Sequence, residues 1–295
     1  AEHFDFELAK DISADRVILE NGSSLYVSGT ITAKEHLELI SGRNVYVYGH
    51  IQAADDAQNN EIGEVLITAR GNEHTGGFDL SADGEAQDTI SEAELGFDYN
   101  GDGDKNDKLK YQSGSIDLHV DGIHASNFEL RAKEDIELRL EEDFALHGFI
   151  GGLNGFEPAE NLSIATEGQI HVPSGILEVN QDMHLTARHI DSGSGAIFIA
   201  EKMHVQAESG LDLHTLVDDL WASSTGTGDI IVHEGEDIRL RNIQAQDGDI
   251  EVHVGGELHV KAEDKVKAQN GDAKLYAVKH GDVQSSSVQA ENGQV

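Results

Sequence analysis

A glycine-led repeat constrains the fold of this chain more than any other sequence feature. The glycines are Gly22, Gly42 and Gly63 near the start, and Gly228, Gly248, Gly271 and Gly293 near the end. In the first series an apolar residue follows each glycine at the third position, and the interval between glycines is nearly the same in both series. A fixed period of roughly 20 residues is typical of solenoid proteins.

Each period contains three short runs in which apolar and polar residues alternate. Between 248 and 271 the apolar members are Ile250 and Val252, then Leu258 and Val260, then Val266 and Ala268. Strict alternation predicts strands with one buried face, and a period of this length leaves no room for a crossover helix beside three strands. We therefore predict an all-β fold, a right-handed parallel β-helix (β-solenoid) with roughly 20 to 23 residues per coil.

Two other all-β folds are possible for a chain of alternating runs. An antiparallel sandwich is one alternative, but its strands need not repeat at a fixed interval. A leucine-rich repeat is the other, and it requires an Asn and Leu spacing that this chain does not show.

Breaks in the repeat divide the chain into segments. We predict coils over 1–71, an inserted loop over 72–112, and further coils over 113–295, with loop excursions near 149–161 and 212–228. The last excursion holds the single tryptophan, Trp221, with Leu213, Val217 and Leu220 at spacings that suit a helical turn. The expected role of these residues is an apolar cap against the coils.

The amino-acid sequence of the repeats resembles that of a known family. The stretches Leu37-Glu38-Leu39-Ile40-Ser41-Gly42-Arg43-Asn44-Val45 and Gly248-Asp249-Ile250-Glu251-Val252 look like the degenerate repeats of filamentous-haemagglutinin-type β-helical exoproteins. The likeness covers about two thirds of the chain. It implies a secreted or surface-displayed adhesin shaft, and it transfers no catalytic residue.

The charge of the chain narrows the classes of partner. With 20 basic and 56 acidic residues the formal net charge is −36. Because so acidic a surface repels phosphate backbones and anionic lipid, we expect neither nucleic acid nor membrane insertion, and divalent cations become the favoured partners. The absence of cysteine excludes disulfides, thiolate metal sites and thiol nucleophiles.

The inserted loop contains the most specific local motif. In the run 98–107, oxygen-bearing side chains stand at positions 1, 3 and 5 and glycine at position 6, which is the pattern of a calcium loop in EF-hand, dockerin and thrombospondin-type repeats. Position 12 is Leu109, so the bidentate acid of an EF-hand is missing; Asp83, Asp88, Glu92 or Glu94 could close the shell in place of Asp107. The predicted ligands of a structural Ca²⁺ are Asp98, Asn100, Asp102, Asp104 and Asp107.

Histidines mark a second candidate feature. His233 and His253 each stand five positions after the glycine of their coil, and Tyr276 occupies the same slot one coil later. Coils stacked about 4.8 Å apart would align these side chains in an outward ladder. Such imidazoles could bind zinc or copper or respond to pH, but no third ligand is indicated, and a half-polar outer face is the simpler interpretation.

The sequence thus predicts a non-enzymatic, calcium-stabilised shaft that presents surface glycan-binding sites or joins like subunits end to end. One alternative is a β-helical polysaccharide lyase or hydrolase with its site on the inserted loops. The other is a metal-responsive extracellular filament subunit. No Gly-x-Ser-x-Gly, phosphate-loop or His-Glu-x-x-His motif is present.

Overall fold

The computed structural model describes residues 6–53, 64–70, 89–91, 108–110, 116–124, 127–153, 158–284 and 287–295. Within these ranges it contains 24 strands and no α-helix. The described residues therefore contain no helix that is long and apolar enough to cross a membrane.

The first half of the chain contributes β1 (Phe6–Leu8), β2 (Ile12–Asn21), β3 (Leu25–Val27), β4 (Ile31–Ser41), β5 (Val45–Ala53), β6 (Glu64–Ala69), β7 (Thr89–Ser91), β8 (Lys108–Lys110), β9 (Ile116–His124), β10 (Asn127–Ala132), β11 (Ile136–Leu140) and β12 (Phe144–Gly152). The second half contributes β13 (Leu162–Thr166), β14 (Gln169–Glu178), β15 (Asp182–Ala187), β16 (His189–Ala207), β17 (Leu211–Thr227), β18 (Ile230–Glu234), β19 (Ile238–Asp247), β20 (Ile250–Val254), β21 (Leu258–His259), β22 (Lys265–Ala268), β23 (Ala273–Ala277) and β24 (Val288–Ala290).

The chain forms two compact units. Unit 1 comprises Ala1–Arg139 and Ile150–Glu160, and unit 2 comprises Leu140–Phe149 and Asn161–Val295. In the coils of both units, strands pair in parallel with the strands one coil away, which confirms the predicted all-β parallel β-solenoid.

One column of strands in unit 2 shows the repeat directly. Its successive partners, one from each coil, are Ile170, Ile190, Leu211, Ile230, Ile250 and Ala273. Each of these side chains is buried, with at most 2% of its surface exposed. The alternation seen in the sequence therefore turns the aliphatic residues inward, and they stack along the core of the unit.

Glycine and aspartate have separate roles at the corner that precedes this column. A Cβ at Gly248 would collide with the carbonyl oxygen of Gly228 in the adjacent coil, so the backbones approach too closely for any side chain. The carboxylate of Asp229 accepts a hydrogen bond from the backbone N–H of Asp249 at 2.8 Å, and Asp249 accepts one from Asp272 at 2.8 Å. The Gly-Asp repeat is thus a consequence of coil stacking.

Unit 1 follows the same plan with one interruption. Leu25, Val45 and Ile116 are successive partners, so far more chain separates Val45 from Ile116 than one coil requires. The alternate positions Tyr26 and Tyr46 stack with ring centroids 4.9 Å apart and are nearly fully buried, and Asn44 donates a hydrogen bond to the Tyr46 hydroxyl at 2.9 Å.

The interruption of unit 1 contains the predicted insertion. Its described parts, β7 and β8, pair with each other in the antiparallel sense and form a sheet separate from the coils. The predicted calcium ligands Asp98, Asn100, Asp102, Asp104 and Asp107 lie outside the described residues, and the calcium site stays a prediction.

The structure contradicts the loop excursion predicted near 212–228. β17 runs as one strand of 17 residues through this segment, and Trp221 lies on its outer side. The helix-like spacing has a physical cause: Asp218 and Asp219 both face outward, which shifts the phase of the alternation by one position. Of the excursion near 149–161, β12 covers the part up to Gly152, and 154–157 lie outside the described residues.

Candidate functional site

The outer faces of unit 2 carry two rows of stacked rings, each with a parallel row of side chains beside it. Because every coil repeats the same path, outward residues at matching positions lie above one another about 4.8 Å apart. The chemical content of these rows decides what each face can bind.

The first face contains the predicted ladder. The rings of His233 and His253 stack at a centroid distance of 5.4 Å, and those of His253 and Tyr276 at 4.7 Å. His214 extends the ladder by one ring, 4.7 Å from His233. His214 could not be recognised from spacing, because the step from His214 to His233 is shorter than the step from His233 to His253 and no Gly-Asp corner precedes His214.

Carboxylates accompany this ladder. The row beside it contains His171, Asp191, Asp212, Ile231, Glu251 and Lys274. His171 and Asp191 are joined at 2.9 Å, and the His253 Nε2 atom lies 2.6 Å from a Glu251 oxygen. We call the ladder and this row together the acid-bearing strip.

The second face has a ring row that sequence reasoning did not identify. His184 stacks on His204 at 4.6 Å, and His204 stacks on Trp221 at 4.2 Å. The guanidinium carbon of Arg241 lies 5.2 Å from the centre of the Trp221 ring, in a cation–π arrangement. The complete ring row consists of Ser163, His184, His204, Trp221, Asn242 and Lys265.

A bulge places Arg241 over the tryptophan. Leu220 pairs with Leu240, but Trp221 pairs with Asn242, so Arg241 is an extra residue in its strand. Bulges of this kind redirect a side chain and are frequent beside functional sites. Arg241 also lies 3.4 Å from Asp219 and 3.8 Å from Asp264, which holds the guanidinium in place.

A row of amides and hydroxyls runs alongside the rings. Its members are Ala165, Thr186, Gln206, Ser223, Gln244, Lys267 and Gln289. The side chains of Thr186, Gln206 and Ser223 make no hydrogen bond to the described part of the chain. Neither this row nor the ring row contains Asp or Glu, so we call the two rows together the acid-free strip.

Burial shifts the pKa of His204 and of His233, one histidine in each ring row. Burial lowers the pKa of His204, and the neighbouring His184 lowers it further. Burial likewise lowers the pKa of His233, with His214 as the next contribution, while Asp212 and Glu251 oppose the shift. The lowered pKa favours the neutral form of these two imidazoles at pH 7.

The buried acids of unit 2 serve internal bonds. Burial raises the pKa of Asp264, but hydrogen bonds from Arg239 and the Lys261 N–H outweigh it and the net pKa is lowered. The Arg239 guanidinium contacts both Asp264 oxygens, at 2.8 and 2.9 Å. Burial raises the pKa of Glu234, whose oxygens accept hydrogen bonds from Thr215, Val217 and Glu236.

The ring stacks do not have the geometry of a metal site. The stacked rings are nearly parallel, so the nitrogen lone pairs of neighbouring imidazoles lie in parallel planes and do not converge on one ion as the ligands of a tetrahedral zinc site must. Among the described residues, no group of three or more His, Asp or Glu side chains is arranged to hold a metal ion.

Comparison of the chain with protein-family models, with curated proteins and with solved structures finds no match.

Proposed function

We propose that this chain is a structural and adhesive shaft segment of a secreted or cell-surface bacterial protein, without catalytic activity of its own. The observation that carries the proposal is the stacking of matched residues from coil to coil within each unit, which yields a stiff scaffold with regular outer faces. Such a scaffold displays binding groups at a constant spacing.

The use of the ionisable groups supports the same role. Asp264 and Glu234 are buried acids with shifted pKa values, and hydrogen bonds within the coils already occupy their carboxylate oxygens. Groups committed to such internal bonds stabilise coils and are poorly placed for proton transfer to a substrate, which needs a group within hydrogen-bond reach.

The resemblance to filamentous-haemagglutinin-type repeats belongs to this proposal. The Gly-Asp corners that carry the resemblance follow from coil stacking, so they support a shaft and leave the particular family open to test. Surface glycans, divalent cations and like subunits joined end to end are the partners proposed with it, while nucleic acid and membrane insertion are disfavoured by the charge of −36.

Calcium is proposed as the stabiliser of the insertion through Asp98, Asn100, Asp102, Asp104 and Asp107. The test is a thermal melt of the whole chain with calcium and with chelator. We expect calcium to raise the melting temperature, as binding to the folded state requires. Asp98→Ala should abolish the rise, and Asp247→Ala, which removes an exposed carboxylate from unit 2, should preserve it. An identical melt with chelator would contradict the site.

Incubation with neutral and acidic polysaccharides tests the absence of catalysis. We expect binding without formation of new reducing ends or unsaturated products. Turnover of any polysaccharide would overturn the shaft proposal in favour of the lyase or hydrolase alternative. Zinc-dependent or copper-dependent assembly, measured by sedimentation, would instead favour the metal-responsive filament.

A further inference from the structure

We propose that the acid-free strip of unit 2 is a binding site for an uncharged polysaccharide chain. The inference rests on the adhesive role proposed above and gives that role a location and a ligand class.

The charge distribution is the first observation. Acidic residues make up 56 of the 295 residues, yet the two rows of the acid-free strip contain none from Ser163 to Gln289. Their charged members, Lys265 and Lys267, lie in one coil near the C-terminal end, where Lys267 pairs with Glu291 at 2.6 Å, and the groove between the rows is lined by no Lys, Arg, Asp or Glu. The acid-bearing strip of the same unit has Asp191, Asp212 and Glu251. A cation would bind the latter strip, and a polyanion is repelled by the net charge, so charge complementarity favours a neutral ligand here.

The hydrogen-bonding groups are the second observation. Because His184, His204 and Trp221 stack face to face, their facing surfaces cover one another and the ring edges, where the imidazole and indole nitrogens lie, are the parts left for a ligand. Thr186 and Gln206 are exposed beside them with uncommitted side-chain groups. Sugar hydroxyls both donate and accept, so they match a strip that mixes neutral donors and acceptors.

The shape of the strip is the third observation. A shallow groove runs across successive coils between the two rows, lined by His184, His204, Gln206, Trp221, Ser223 and Asn242. An open groove that continues from coil to coil suits an extended polymer better than an enclosed small molecule.

The groove is also held rigid. Trp221 lies between His204 and Arg241, and Arg241 is fixed by Asp219 and Asp264. A platform with fixed side chains loses little conformational entropy on binding, so weak neutral contacts can accumulate along a chain.

The experiment is affinity electrophoresis of the whole chain through gels containing dextran, a soluble β-glucan or polygalacturonate, with calorimetry on N-acetylglucosamine hexasaccharide. We expect at least one uncharged probe to retard or bind the chain and polygalacturonate to have no effect. Trp221→Ala and Gln206→Ala should each weaken that binding about tenfold or more. The matched controls on the acid-bearing strip, Tyr276→Ala and Lys274→Ala, should bind as the unchanged chain does.

Gln206→Glu guards against a folding artefact, because it adds one charge at an exposed position of similar shape; it too should weaken binding. The proposal is overturned if none of the uncharged probes binds. It is also overturned if polygalacturonate is the only probe that binds and the Trp221→Ala and Gln206→Ala variants lose that binding. Self-association of the chain that Gln206→Glu abolishes would overturn it as well. If Tyr276→Ala abolishes binding of an uncharged probe and Trp221→Ala leaves it unchanged, the site proposed here is wrong. The adhesive shaft function would then stand, with its binding site on the acid-bearing strip. Turnover of a bound glycan would overturn the shaft and retain the site.

Discussion

The two ring ladders of unit 2 share the stacking of one ring per coil and differ in chemistry. In the acid-bearing strip His253 lies 2.6 Å from Glu251, whereas in the acid-free strip His204 is stacked between His184 and Trp221 with Arg241 beyond. Coil stacking therefore aligns outward side chains at matching positions of successive coils. The residues of the row beside each ladder determine the charge of that face. Alignment is a property of the fold, and the charge of each face is a property of the row composition.

The largest loss of stability should come from a substitution in the ion cluster of Asp264, Arg239 and Arg241, which supports one end of the acid-free strip. Asp264→Ala removes a carboxylate that is only 4% exposed and leaves Arg239 without its bidentate partner. We expect a loss of about 3 kcal/mol in the free energy of unfolding, measured by urea denaturation.

The matched control for this change is Glu263→Ala. Glu263 also contacts Arg239, at 2.6 Å, but its side chain is 66% exposed. An exposed ion pair contributes little to stability, so we expect a much smaller loss for Glu263→Ala than for Asp264→Ala. Equal losses for the two variants would show that Asp264 has no special role in holding this end of the strip.

The end of the strand that carries His233 should give an intermediate effect. Both Glu234 oxygens accept backbone N–H groups, from Val217 at 3.0 Å and from Glu236 at 2.8 Å. In Glu234→Gln the amide NH₂ must face one of these donors, so we expect a loss of about 1 to 2 kcal/mol at pH 7 in urea denaturation. Glu236→Gln, at an exposed position, should be neutral; a similar loss there would contradict the argument.

Acidification should separate the two ladders. The pKa of His204 and of His233 is lowered on folding, so the stability that depends on their neutral forms is complete above about pH 6.5 and is lost as the pH falls towards the lowered values. Two protonated rings 4.6 Å apart repel by between about 1 and 4 kcal/mol, depending on the local dielectric constant.

The comparison predicts which ladder is more sensitive. One acid, Asp182, opposes the lowering of the pKa of His204, to which Lys202 adds. Two acids, Asp212 and Glu251, oppose the lowering of the pKa of His233, to which His253 adds. We therefore measure the free energy of unfolding by urea denaturation between pH 7.5 and 5.5. Its dependence on pH should weaken more in His204→Gln than in His233→Gln. Glu234 has the opposite sign, because its raised pKa makes stability fall as the pH rises through its titration. Equal slopes in the two histidine variants would remove the predicted difference between the strips.

The smallest effect on stability is expected at the exposed members of the acid-free strip. Thr186→Ala and Gln206→Ala remove side chains that make no hydrogen bond to the described residues, so each should change the free energy of unfolding by less than about 0.5 kcal/mol. A larger loss in denaturation would mean that the strip serves the coils themselves.

Sequence periodicity was sufficient for the fold class and for part of the ladder. Gly248 and Asp249 are required by contacts between adjacent coils, so the same residues recur wherever the contacts recur, and the alternation of Ile250 and Val252 follows from the pleat of a strand. The alignment of His233, His253 and Tyr276 could be read from equal distances to the corner glycine.

The remaining features depend on register, which local spacing does not reveal. The bulge at Arg241 makes Asn242 the partner of Trp221 in the next coil. A register shift between Asp191 and Phe198 makes His204 and Trp221 partners, although the step between them is shorter than the usual period. The burial of Tyr26 and Tyr46 at positions that alternation turns outward was likewise decided by tertiary packing. The sequence by itself determined that coils stack, because each coil must satisfy the same corner; only the tertiary structure decided which outward side chains share a row, because one extra residue in a strand displaces every later partner.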